Sequence, residues 1–215
     1  MSRRAQKAAH RAAVSGAGPT TEGPAARFPG ATAGFALFGE VVMIGMLVTL
    51  VSLPVVTLPA ALAAGIRHLR RYLHAEDSRL AFFWRDLRAG LLGSLAVGAG
   101  AVVLTLLLLL DIDLAGSGAL PGGPAIAAVG WIGLAAVGVT LLAAASAWSP
   151  EIGWRRAVRG VPAMIAGDVR GALFLVATVG FVVVVTWALP PLIIAALGCA
   201  ALAAVAIPER PARRG

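Results

Sequence analysis

The sequence predicts an all-α fold: a polytopic transmembrane bundle of three helical hairpins, five to six crossings in all, with amphipathic helices on its cytoplasmic surface. Three observations carry this reading. Of 215 residues, 59 % are apolar and 13 % charged, a deficit of charge that a lipid-facing surface requires. The positive residues behind a formal net charge of +8 fall into patches at 3–27, 67–88, 155–170 and 210–214. The apolar stretches between them, free of Lys and Arg, exceed what one crossing of a hydrocarbon core of roughly 30 Å needs. Because Lys and Arg are retained on the cytoplasmic side, all the patches are expected to face inward.

Residues 1–30 read as a basic tail and 31–207 as the membrane domain, with a second basic tail at 208–215. The first tail lacks a short apolar core followed by a small-residue cleavage site, so it is expected to stay as a cytoplasmic segment rather than act as a cleaved signal. The stretch from Ala31 to Ile66 contains Pro54 and Pro59, which break helices. It reads as a hairpin whose first arm is about Thr32 to Leu53 and whose second arm is a short or re-entrant helix ending at Arg67. Six crossings with both termini inside follow from that hairpin; five crossings, with the N-terminal tail outside, is the alternative.

From Arg67 to Arg88 the pattern is amphipathic. Leu69 and Leu73 share a face; after Glu76-Asp77-Ser78 the residues Leu80, Phe83, Trp84 and Leu87 recur at three- and four-residue spacing, the period of a helix face. A pair of short helices on the membrane surface is expected, with Ser78 as N-cap of the second and Arg67, Arg70, Arg71, Arg85 and Arg88 toward lipid phosphates or a partner. Ala89 to Leu110 and Pro124 to Trp148 form the second hairpin, joined by an acidic, Gly-rich outer loop that begins at Asp111 and Asp113. Trp131 and Trp148 are candidates for the membrane interface. Glu151 to Arg170, with Trp154, Arg155, Arg156 and Arg159, repeats the amphipathic pattern. The third hairpin runs from Gly171 to Leu189 and from Leu192 to Ile207, turned at Pro190 and Pro191.

No Gly-rich phosphate loop, catalytic trio or metal-ligand spacing appears, so neither an enzyme nor a cofactor or metal site is expected. His68 and His74, six apart, point to different helix faces, and Cys199 is alone in an apolar span. The basic patches flank hydrophobic spans rather than lining a solvated groove, which argues against nucleic acid as a partner and for the lipid bilayer. Glu40 is the acid clearly inside a span, a costly position that suggests an intramembrane polar site. Pro54, Thr57 and Pro59 interrupt the helix and could free backbone carbonyls for a solute. Gly90, Ser94 and Gly98 recur every four residues, a stripe that lets another helix approach.

The run Ser52-Leu-Pro-Val-Val-Thr-Leu-Pro-Ala-Ala, the basic segment after it, and Phe82-Phe-Trp-Arg-Asp-Leu-Arg88 resemble the YesL-like family of bacterial membrane proteins. The likeness covers roughly Phe35 to Leu110; the remainder is similar only in hydrophobic pattern. The family has no established activity. The resemblance implies an accessory role beside carbohydrate uptake systems, with sugar transporter subunits as partners.

Overall fold

The computed structural model describes residues 34–117 and 122–208; the first basic tail and all but the first residue of the second lie outside them. Among the described residues the chain is 87 % helical and has no strand, which places it in the all-α class. Seven helices follow in order: α1 Gly34–Val51, α2 Leu58–Leu73, α3 Leu80–Gly116, α4 Gly123–Ala147, α5 Gly153–Gly167, α6 Val169–Ala188 and α7 Ile193–Ala206, with a 3₁₀ turn at Pro190–Leu192 before α7. Helices α1, α3, α4 and α6 are each long and apolar enough to cross a bilayer.

The surprise is α2. It is too short to cross a bilayer unaided, yet it is the centre of the bundle, packed against α1, α3, α4 and α7. Ala60, Ala61, Ala63, Ala64, Ile66 and Leu69 are all at most 1 % exposed. From Pro59 to Ile66 the helix is apolar on every side and buried on every side, and its alanines let four neighbours approach at once. The segment expected as a marginal second arm is therefore the core.

Local chemistry sets its limits. Thr57 is the N-cap and Pro59 falls in the first turn, where a missing N–H costs nothing. At the other end Ala75 takes φ 55°, while the Glu76 amide donates to Arg71 O at 2.9 Å and the Ala75 amide to Tyr72 O at 3.0 Å. This is the two-bond Schellman closure with alanine in the position glycine usually fills. Ala75→Gly is expected to raise stability by about 1 kcal/mol by relieving the left-handed backbone; a thermal midpoint in detergent no higher than wild type would refute that.

Two surface helices between Arg67 and Arg88 do not form as separate units. Arg67 to Leu73 is the last part of α2, and Leu80 to Arg88 is the start of the 37-residue α3. No Pro interrupts the chain from Leu80 to Gly116, so the amphipathic start and the apolar span propagate as one helix roughly 55 Å long. Its N-cap is Arg79, not Ser78. The same continuity carries α3 through Asp111 and Asp113, which sit on helix rather than in a loop.

Amphipathic α5 lays Trp154, Ala157 and Val161 inward and leaves Arg155, Arg156 and Arg159 exposed. Asp168 then caps α6, its carboxylate accepting from the Gly171 amide at 2.9 Å, a favoured N-cap arrangement. The turn between α6 and α7 lies at Pro190 and Pro191, as the sequence predicts. Helix α7 returns along α1, where Gly45 and Gly198 face the partner backbone: a Cβ on Gly45 would overlap Ile194 O, and one on Gly198 would overlap Val41 O. In lipid such contact, rather than expulsion of water, holds helices together.

Candidate functional site

The ends of α2, α3, α4 and α5 meet in one polar cluster. Arg67 and Arg71 are four apart on α2 and so share a face. Both reach Asp86 on α3: Arg67 Nε donates to Asp86 Oδ2 at 2.9 Å and Arg71 Nη2 to the same oxygen at 2.5 Å, while Arg85 Nη2 lies 3.6 Å from Oδ1. Asp86 is 2 % exposed. A carboxylate can be held there only because two guanidinium groups replace its water.

Aromatic rings fix the guanidinium planes. Arg71 lies 5.4 Å and Arg85 4.9 Å from the Phe82 ring centre, and Arg67 lies 5.9 Å from that of Trp148. Trp148, 3 % exposed, stacks on Trp154 with centroids 5.6 Å apart, so it is an interior residue and not an interface anchor; Trp131 is the exposed one of the pair. Trp154 Nε1 donates to Gly90 O at 2.8 Å, and Arg70 Nη2 donates to Ser146 O at 3.4 Å. Trp154→Phe keeps the ring and deletes that donor, leaving a helical carbonyl short of one partner. A loss of about 1 kcal/mol is expected, readable as a lower thermal midpoint.

Beside this cluster, Glu40 of α1 has a partner the sequence did not reveal. His68 Nε2 lies 2.5 Å from Glu40 Oε1, with His68 fully buried and its Nδ1 without a hydrogen-bond partner. Helices α1 and α2 are thus joined by an ionisable pair.

The Pro54 to Pro59 break is not part of this pair. Glu40 lies near the start of α1 and the break follows its end, about 17 Å away along the helix. Three of the break's carbonyls are already taken: Pro54 O accepts from Val56 N, Val55 O from Leu58 N and Thr57 O from Ala61 N, while Thr57 Oγ1 donates to Val51 O at 2.5 Å; Pro59 is buried and Pro54 exposed.

Phe83, expected on a docking surface, is fully buried and meets Trp84 edge to face, whereas Leu80 and Trp84 are 41 % and 42 % exposed. Arg85 and Arg88 are also exposed. Of the small-residue stripe, Gly90 lies under the Trp148 ring, Ser94 is buried, and Gly98 faces the Val56 backbone so closely that a Cβ would overlap its carbonyl oxygen. The stripe therefore receives a ring and a turn.

No family model, curated protein or solved structure matches the chain.

Among the described residues, no three of His, Cys, Asp or Glu gather where a metal ion could be held. Asp86 spends its charge on two arginines, and the cluster's positive members face a bowl-shaped cavity formed by Arg67, Arg70, Arg71, His74 and Glu76. Sequence reasoning passed over Asp86, although it stands on the stripe Phe83, Leu87, Gly90 that a helical wheel turns inward. An acid on an otherwise buried stripe was the available signal.

Proposed function

We propose that this chain is a non-enzymatic accessory component of the cell membrane, associated with carbohydrate uptake, with its arginine-rich end and both tails in the cytoplasm. The observation that carries the docking role is the exposed edge of Leu80, Trp84, Arg85 and Arg88, standing on a cluster whose charges are locked in mutual pairs. A rigid, amphipathic and basic edge suits a protein partner at the membrane surface. The sugar-uptake context is what the YesL-like resemblance implies.

The topology we favour differs from three full hairpins. Val56 meets α3 at Gly98, about 15 Å past Arg88 and about 20 Å short of Asp111 at the helical rise. The turn there is apolar and outward, with Leu53 75 % and Val55 57 % exposed. Most of its amides are consumed internally: Ser52 N donates to Val48 O, Leu53 N to Leu50 O, Val55 N to Ser52 O, Val56 N to Pro54 O and Leu58 N to Val55 O, and its prolines have no N–H. Backbone inside hydrocarbon must be satisfied in this way. The α1–α2 pair is thus re-entrant from the cytoplasmic side, and α3, α4 and α6 cross, with α7 crossing together with the turn at Pro190–Leu192 that extends it toward the minimum length of a span.

Purification of tagged protein in mild detergent from its own host, grown on complex sugars, tests the role. A permease or ATPase at near-equal amounts is expected with wild type and is expected to be lost with Leu80→Ser/Trp84→Ser, which leaves buried Phe83 alone. Recovery of the protein by itself contradicts the reading. The Glu40–His68 pair favours a second one, an autonomous small-solute transporter or channel. It requires that Glu40→Gln lose solute or proton flux in liposomes, and unchanged flux dismisses it.

A further inference from the structure

We propose that the groove between α3, α4 and α5 holds an anionic phospholipid, with an acyl chain along its apolar length and the phosphate against Arg155 and Arg159. Two cavities make up the groove. One, of about 440 Å³, runs between α3 and α4 past Gly100, Leu104 and Leu108; the other, of about 730 Å³, opens beside Trp154, Arg155 and Arg159 of α5. Ala96, Val97 and Val158 line both, so the two are continuous and share one charged mouth.

The mouth is cationic without a counter-charge from the protein. Arg155 and Arg159 are four apart on α5 and so share a face, and both are exposed. Among the described residues neither has an ion pair or a hydrogen-bond partner, and no acid lines either cavity. Arg155 also stands in the first turn of α5, which contains no acid. The amide end of a helix repels a cation and attracts an anion, so a phosphate at the mouth is favoured by the helix as well as by both guanidinium forks. Beyond the mouth the walls between α3 and α4 are apolar apart from Thr140. From Val97 to Leu108 they extend about 16 Å at the helical rise, roughly half of a hydrocarbon core of about 30 Å, the depth that the chains of one leaflet fill. Gly100 keeps the way open: a Cβ there would meet nothing within 4 Å, whereas one on Gly98 would overlap the Val56 carbonyl oxygen. An anionic head on a long apolar chain matches both parts of the groove; a soluble anion matches only the mouth, and an apolar helix leaves the arginines unmet. Basic pockets between membrane helices suit anionic lipid headgroups. None of these residues belongs to the Leu80 and Trp84 edge, so loss of lipid binding leaves the docking role untouched, and the reverse.

Thermal unfolding of the purified full-length protein in detergent tests this, with added phosphatidylglycerol and, separately, phosphatidylcholine of the same chains. A midpoint raised by about 3 °C or more is expected with phosphatidylglycerol, at a concentration where phosphatidylcholine has no effect. Arg155→Gln/Arg159→Gln removes two exposed charges and is expected to abolish the difference between the lipids; Arg170→Gln, exposed on α6, is expected to retain it. Gly100→Leu places a side chain in the groove and is expected to weaken apparent affinity for phosphatidylglycerol about tenfold, the equivalent of two buried methylenes. Glycerol phosphate, a head without chains, is expected to give no shift. Equal shifts with the two lipids overturn the proposal, as does an unchanged response in either the double variant or Gly100→Leu. So does a shift with glycerol phosphate as large as that with the lipid. A dimer in lipid-free detergent that Gly100→Leu dissociates assigns the groove to a second copy of the chain and also overturns it.

Discussion

Asp86→Ala is expected to cost the protein most of its accumulation in the membrane. The carboxylate is 2 % exposed and holds Arg67 and Arg71 on one oxygen. Its removal leaves two largely buried guanidinium groups facing each other without a counter-charge. Breaking a buried pair from one side costs about 3–5 kcal/mol, a large fraction of what holds a domain together. Asp86→Asn keeps an acceptor oxygen but loses the charge, and should fall between. Asp77 supplies the contrast: it pairs with Arg79 at 3.1 Å, but its side chain is 52 % exposed and that of Arg79 78 %. Asp77→Ala should change stability by less than about 1 kcal/mol. Yield and thermal midpoint in detergent measure both, and equal values for Asp86→Ala and Asp77→Ala would refute a structural role for the cluster.

Adding one methyl group at Gly45 or Gly198 is expected to separate α1 from α7. Each new Cβ would overlap a backbone carbonyl oxygen, Ile194 O in one case and Val41 O in the other. Backbone cannot yield as a side-chain tip can, so the helices must move apart and lose contact along their length. A loss of about 1–3 kcal/mol per site follows. Gly34 and Gly180, where a Cβ meets nothing within 4 Å, should accept alanine at little cost. The midpoints of the four single variants decide the matter, and Gly45→Ala behaving like Gly180→Ala would contradict the close approach.

What the sequence made legible was whatever lipid and backbone chemistry dictate locally. Charge segregation gave the apolar helices, and Pro190 and Pro191 gave the α6–α7 turn. Proline-bearing Ser52 to Thr57 gave the end of α1. Continuity was harder to read. Amphipathic Leu80 to Arg88 has the composition of a surface helix and stays helical into the span because nothing stops it, so its boundary with the apolar helix is compositional and not structural. The central place of α2 was hidden for a related reason: alanine is neutral to its surroundings, and Ala60 to Ala64 become a core only when four other helices surround them. The site was divided in the same way. Arg67, Arg70, Arg71 and Glu40 stood out as charges, while Asp86 was passed over inside the Phe82 to Arg88 run and His68 was read only as one of two histidines on different helix faces. Pairings across 19 and 28 residues depend on how helices cross, which no local pattern encodes.

The measurement that bears most directly on the account is cysteine labelling in whole cells. In a Cys199→Ser background, single cysteines replace Ala81 at the start of α3, Leu53 in the α1–α2 turn and Ser117 after α3, and a membrane-impermeant maleimide is applied before and after the cells are opened. The account predicts that Ser117→Cys reacts in intact cells, Ala81→Cys only once they are broken, and Leu53→Cys in neither state until detergent is added. Labelling of Leu53→Cys from outside would mean that α1 and α2 each cross, and labelling of Ala81→Cys in intact cells would reverse the orientation on which the docking edge depends.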